Sequence, residues 1–201
     1  MNIVVSLLLL LVVLPLCAAV TLRDHLGVDW QHELVHKTLT FAPGAQKTAT
    51  ARVECAGKVI PSQVSEVMLH PDGSVKAMKV WFFADVPANG ETTYQVAPDK
   101  AGPKVKGVTV RKSAGAIELL TPAPRPVGVR LMGGEKTYAA PLPAAQTPGP
   151  LQALLLPSGR KAGRGQLMAP FLVKSYKAEV TASGPLFAEA RVRYEFDAGY
   201  W

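Results

Sequence analysis

The chain has 201 residues, 48% of them hydrophobic, and a net charge of +7 from 22 Lys and Arg against 15 Asp and Glu. The basic surplus is scattered through Lys100, Lys104, Lys106, Arg111, Lys112, Arg125 and Arg130, then Arg160, Lys161, Arg164, Lys174 and Lys177. Without a dense run it excludes a nucleic-acid arm, and leaves solvated strand faces or a diffuse attraction to polyanions such as acidic polysaccharide.

Ile3 to Leu16 is an unbroken apolar run followed by Cys17, Ala18 and Ala19, small residues that suit a cleavage site. This predicts a signal peptide over 1–19, cut after Ala19, and a secreted or periplasmic protein with no membrane segment after cleavage. An uncleaved anchor is the competing reading, because Ile3 to Val20 barely reaches the roughly 18 residues a span requires. Leu16 is too bulky for lipid attachment at Cys17. Residues 20–201 then form a single β-domain, long enough to bury about two-thirds of its unfolded surface. Cys55 is the one cysteine left after cleavage, so an internal disulfide is excluded.

Val20 to His36 is ambiguous. Leu22, Leu26, Trp30 and Leu34 are spaced four apart, as a short helix would have them, whereas Leu34 to Phe41 reads as a strand stopped by Pro43-Gly44. Within it lies His32-Glu33-Leu34-Val35-His36, the H-E-x-x-H pattern. On a helix both histidines would face one way and hold Zn²⁺, with Glu33 activating water. The context argues against that reading. Few residues precede the motif, Ala42 stands where a third histidine would fall, and Lys-Thr-Leu-Thr-Phe follows directly. Glu54 and Glu66 are the carboxylates available as distant ligands, and neither is singled out.

Lys47 to Cys55 alternates as a strand and Ala56-Gly57-Lys58 turns it into Val59-Ile60. His70-Pro71-Asp72-Gly73 is a tight turn: proline presets φ, aspartate bonds back to the backbone, and glycine takes the positive φ. Beyond it Met78, Val80, Phe82 and Ala84 share one parity, and Lys79, Trp81, Phe83 and Asp85 the other. A second turn, Val86 to Gly90, leads into Glu91 to Val96. Two turns between three period-two runs predict a β-meander.

Strands are also expected over Val105 to Arg111, Ile117 to Leu120 and Val127 to Met132. Ala139 to Pro150 is too proline-rich for a strand or helix and reads as a loop. Leu151 to Leu156 is apolar and of unclear type. Ser158 to Gly165 is a flexible basic loop without a phosphate-loop pattern. Leu167 to Thr181 and Leu186 to Phe196 restore strand character, the latter with Ala190, Val192, Tyr194 and Phe196 on one side. Gly199-Tyr200-Trp201 places two aromatics at the end, which suggests that a further domain follows. Together these elements predict an all-β fold, an antiparallel barrel or sandwich of about ten short strands with at most one or two short helices.

Val59-Ile60-Pro61-Ser62-Gln63, Pro71-Asp72-Gly73-Ser74-Val75-Lys76, Val80 with Phe82-Phe83-Ala84, and Thr93-Tyr94 resemble the N-terminal RIFT-barrel β-domain of exo-rhamnogalacturonan-lyase-like proteins. Trp30 with Glu33-Leu34-Val35 resembles the opening of that domain. The likeness covers about residues 21–112, and the accessory β-domains of α-mannosidase-like hydrolases carry a similar signature. The chain departs from the pattern at His70 and Ala77, where the family has tryptophans.

The resemblance implies a non-catalytic accessory β-domain of an exported carbohydrate-active protein. It would pack against, or present polysaccharide to, a catalytic domain of the same polypeptide. The family's catalytic residues lie in a helical toroid beyond this region, so no catalytic, cofactor-binding or metal-binding residue is carried over. Trp30 and Trp81 are candidates for stacking on sugar rings or for core packing. Two alternatives stand beside this reading: a zinc hydrolase using His32, Glu33 and His36, and a stand-alone module for acidic polysaccharide or cell envelope.

Overall fold

Alternation of apolar and polar residues makes strands of most of this chain, and what remains is how the strands are shared among sheets. The computed structural model describes residues 18–200 apart from 99, 104, 123 and 125. The apolar run of the expected signal peptide, Lys104, Arg125 and Trp201 lie outside the described residues. Ala18 and Ala19, next to the expected cleavage point, pair with Val96 and Gln95.

The first half contains β1 (Ala18–Arg23), β2 (Trp30–Thr40), β3 (Ala51–Cys55), β4 (Lys58–Ile60), β5 (Ser62–Leu69), β6 (Val75–Val86) and β7 (Glu91–Pro98). One sheet has the order β1-β7-β3-β4 and the facing sheet β2-β6-β5, all pairs antiparallel. Between them lies a core of Val53, Val75, Met78, Val80, Phe82, Ala84, Tyr94 and Val96. The parity read from the sequence of β6 therefore holds, since Met78, Val80, Phe82 and Ala84 are buried while Lys79, Trp81 and Phe83 are half-exposed. Each fully buried Val, Met or Phe side chain contributes about 1.5–3 kcal/mol.

The second half contains β8 (Thr109–Ser113), β9 (Ala116–Leu120), β10 (Gly128–Met132), β11 (Gly134–Pro143), a 3₁₀ turn (Ala144–Gln146), β12 (Leu151–Leu155), β13 (Lys161–Ala162), β14 (Leu172–Ser183), β15 (Ala188–Phe196) and β16 (Gly199–Tyr200). Its sheets run β13-β12-β10-β9-β8 and β11-β14-β15-β16. A second core of Met132, Ala144, Leu167, Val173, Tyr194 and Phe196 fills this half. The fold is thus all-β and antiparallel with open sheets, a sandwich arrangement in each half rather than a closed barrel. Among the described residues there is no α-helix.

Four sequence expectations change. The four-residue spacing from Leu22 to Leu34 makes no helix; it spans the end of β1, a bend and the start of β2. The meander breaks at its second turn. Both edges of β6 are occupied by β2 and β5, so β7 finds its partners, β1 and β3, in the facing sheet. Ala139 to Pro143 is strand rather than loop: β11 is the edge of its sheet, where prolines lose no ladder bond, and its pairing to β14 skips from Thr137 to Leu142. The strand expected at Val105 starts later, at Thr109, and Gly107 just before it lies against the Pro185 backbone.

That joint is built around Gln63, which is 5% exposed. Its Oε1 accepts the N–H groups of Leu186 (3.0 Å) and Phe187 (3.1 Å), and its Nε2 donates to the Phe187 carbonyl at 3.1 Å. One β5 side chain thereby satisfies three backbone groups of the β14–β15 turn. Gly184 and Gly107 allow the approach: a Cβ on the first would overlap the Gln63 side chain, and one on the second the Pro185 backbone.

Candidate functional site

The outward parity of β6 would be an ordinary wet sheet face if it carried charges alone. Instead Trp81 and Phe83 stand between Lys79 and Asp85, and the register of β2 sets His36 opposite Trp81 and Leu34 opposite Phe83. The His36 and Trp81 ring centroids are 4.4 Å apart. His32 stacks on Phe83 at 5.0 Å with the planes 25° apart. A bulge makes this second pair possible. The β2–β6 register shifts between Trp30 and Glu33, and His32 takes φ 59°, so its N–H reaches Asp85 Oδ1 at 2.7 Å.

The other side of the face comes from β5 and from the second half of the chain. Trp81 Nε1 donates to Ser65 Oγ at 2.8 Å, which fixes the indole. Phe187 meets Trp81 edge-on, with centroids 5.2 Å apart and planes at 71°. The result is a row of rings, His32–Phe83 and then His36–Trp81–Phe187, with Leu34 39% exposed between the histidines. Lys79 is ion-paired with Glu66 at 2.8 Å, also on this face.

The H-E-x-x-H residues are part of this row, but not as ligands. They lie on a strand, where positions i and i+4 share a face yet are separated by about 13 Å along it. A single zinc needs both imidazole nitrogens within about 2.1 Å, which a strand this extended does not allow. Glu33 pairs with Ala84, whose side chain is buried in the core, and so belongs to the opposite parity from the two histidines. Among the described residues no three His, Cys, Asp or Glu side chains converge as a metal site would require.

Of the two tryptophans named for sugar stacking, Trp81 is in the row and Trp30 is not. Trp30 Nε1 donates to Asp24 Oδ1 at 2.9 Å. Asp24 also accepts the N–H groups of Leu26, Val28 and Asn89, and these donors, the indole first, hold its carboxyl well below the usual range. This ties the β1–β2 loop to the β6–β7 turn and braces one end of the ring-bearing sheet. At the other end, Asp72 accepts the N–H and hydroxyl of Ser74, and His70 Nε2 bonds the Phe41 carbonyl at 2.9 Å. The Pro-Asp-Gly-Ser turn is therefore a structural pin, with His70 anchoring it to the end of β2.

A separate apolar cavity of about 540 Å³ lies in the second half, lined by Leu167, Met168, Phe171 and Phe196 among others, with no ionisable side chain among its described lining residues. Sequence reasoning missed Phe187 and Gln63, because their roles depend on contacts across more than 100 residues; only the outward parity of Trp81 and Phe83 signalled the site. Compared with known proteins, the chain matches no family model and no curated protein.

Proposed function

We propose that this chain is a non-catalytic, carbohydrate-facing β-domain of an exported carbohydrate-active protein, presenting polysaccharide to a catalytic domain of the same polypeptide. The observation that carries the reading is the row of half-exposed rings on β2 and β6, completed by Phe187. Sugar rings present C–H faces that stack on aromatic rings, while imidazole N–H groups and Ser or Thr hydroxyls supply directional bonds. A sheet braced at both ends keeps such a surface rigid, which lowers the ordering cost of binding. The apolar run at 3–16 and the motif resemblance support export and a carbohydrate setting.

Affinity electrophoresis in gels containing plant and bacterial polysaccharides tests the reading. Retardation by at least one polymer, lost in Trp81→Ala, is the expected result. Equal migration in every gel, or equal retardation of wild type and Trp81→Ala, would overturn it.

A further inference from the structure

Charge around the ring face bears on what kind of polysaccharide it takes. Residues 1–99 carry seven Lys and Arg against nine Asp and Glu, whereas residues 100–201 carry fifteen against six. Most of the basic surplus of the chain therefore lies beyond the first sandwich. The ring face lies mainly on the first, with Phe187 supplied by the second. Among the described residues of its three strands, the outward face carries one lysine, Lys79, paired with Glu66, and Asp85 adds a second carboxylate beside His32. A uronate-bearing chain laid along β2 and β6 would meet two carboxylates and a lysine already engaged.

We propose that the ring face binds a neutral glycan chain, and that Phe187, delivered by the β14–β15 turn, is a binding residue that completes the site. This rests on the carbohydrate reading and narrows it. Trp81 and Phe83, two residues apart on one strand, are about 6.6 Å apart along it. Successive sugars can then meet the His32–Phe83 pair and the His36–Trp81 pair in turn. Phe187 stands edge-on to Trp81 on the β5 side of the same rung, so the sugar over Trp81 also packs laterally against its ring. Gln63 positions that ring through the Phe187 and Leu186 backbone, which makes the site a joint product of both halves.

The test uses a soluble β-glucan, a galactomannan and polygalacturonate as probes, at low salt and at about 0.5 M salt, where exposed charges are screened over a few ångströms. The expected result is retention by a neutral polymer that high salt leaves unchanged. Phe187→Leu should weaken it by about three- to tenfold, the size of an aromatic contact, and Phe187→Tyr should restore it. Melting temperatures read alongside separate a lost ring contact from a loosened joint, since Tyr and Leu both fill the space.

Retention by polygalacturonate alone, abolished by salt, would overturn the neutral-glycan assignment while leaving the carbohydrate reading in place. Retention by a neutral polymer that Trp81→Ala removes and Phe187→Leu does not would reduce Phe187 to a joint residue. Failure of every polymer to bind would overturn the carbohydrate reading itself, and this proposal with it.

Discussion

Replacing Gln63 with alanine removes the side chain whose hydrogen bonds tie the β14–β15 turn to the first sandwich. Three hydrogen bonds of 3.0 to 3.1 Å are lost, and two N–H groups and a carbonyl in a half-buried turn lose their partner. At about 1 kcal/mol per bond the cost is about 3 kcal/mol, and slackening of the Trp81–Phe187 edge contact adds up to about 1 kcal/mol. For a chain of this size each kcal/mol lowers the melting temperature by about 2–4 °C, so calorimetry should show a fall of about 6–16 °C. Urea unfolding followed by tryptophan fluorescence gives the free energy directly.

Gly184→Ala provides a second measurement on the same joint, because its new Cβ would overlap the Gln63 side chain. In the double variant that overlap is gone, so the combined loss should be smaller than the sum of the two single losses. A Gln63→Ala loss below about 0.5 kcal/mol, within the range of an ordinary surface substitution, would refute the assignment of the joint to Gln63. Strict additivity of the pair would refute the geometry of the contact.

Further measurements reach other parts of the molecule. Tyr194 is fully buried, with its hydroxyl 2.6 Å from the Pro148 carbonyl oxygen and 2.8 Å from Met132 Sδ. Tyr194→Phe should cost about 1–2 kcal/mol in urea unfolding. Burial raises the Tyr194 pKa above its ordinary 10.0, so the stability gained by keeping it neutral is complete below pH 10 and is lost as pH rises beyond it. The phenylalanine variant should lack that alkaline decline.

Asp24 behaves oppositely. Its pKa is depressed from 3.8, first by the Trp30 indole, so its contribution is present above about pH 4 and is lost as pH falls further. Asp24→Asn should flatten the acid limb of a melting-temperature profile, and an unchanged limb would contradict the role given to this carboxylate. Phe82→Ala, at the centre of the first core, should cost about 3–5 kcal/mol. Zinc added to the purified protein should leave the melting temperatures of wild type and of His36→Ala each unchanged; a stabilisation seen only in wild type would restore the metal reading of His32 and His36.

The local chemistry of β6 was legible in sequence because side-chain parity is a property of a single strand. Met78, Val80, Phe82 and Ala84 had to share a face whatever lay opposite, and the His70 to Gly73 turn had to reverse the chain. β11 was not legible. Pro141 and Pro143 argue against a strand until the strand is known to lie at a sheet edge, and edge position is a fact about neighbours. The H-E-x-x-H pattern shows the same limit. Five residues compatible with a zinc helix became a strand because β6 offered them a ladder from Glu33 to Thr40. That pairing spread the histidines apart and laid each against an aromatic ring.

What the sequence determined by itself is the all-β class, the turns, and the inward and outward faces of the long strands. These follow from period-two patterning and from the φ preferences of Pro, Asp and Gly, which act over two to five residues. Only the tertiary structure decided how strands were divided among four sheets, that β7 leaves β6 for the facing sheet, and that Gln63 clasps a turn more than 120 residues away. Those outcomes depend on which edges remain unpaired and which buried polar groups need partners once the chain has collapsed. The ring face combines both origins: strand parity set Trp81 and Phe83 outward, and the packing of one half on the other brought Phe187 to them.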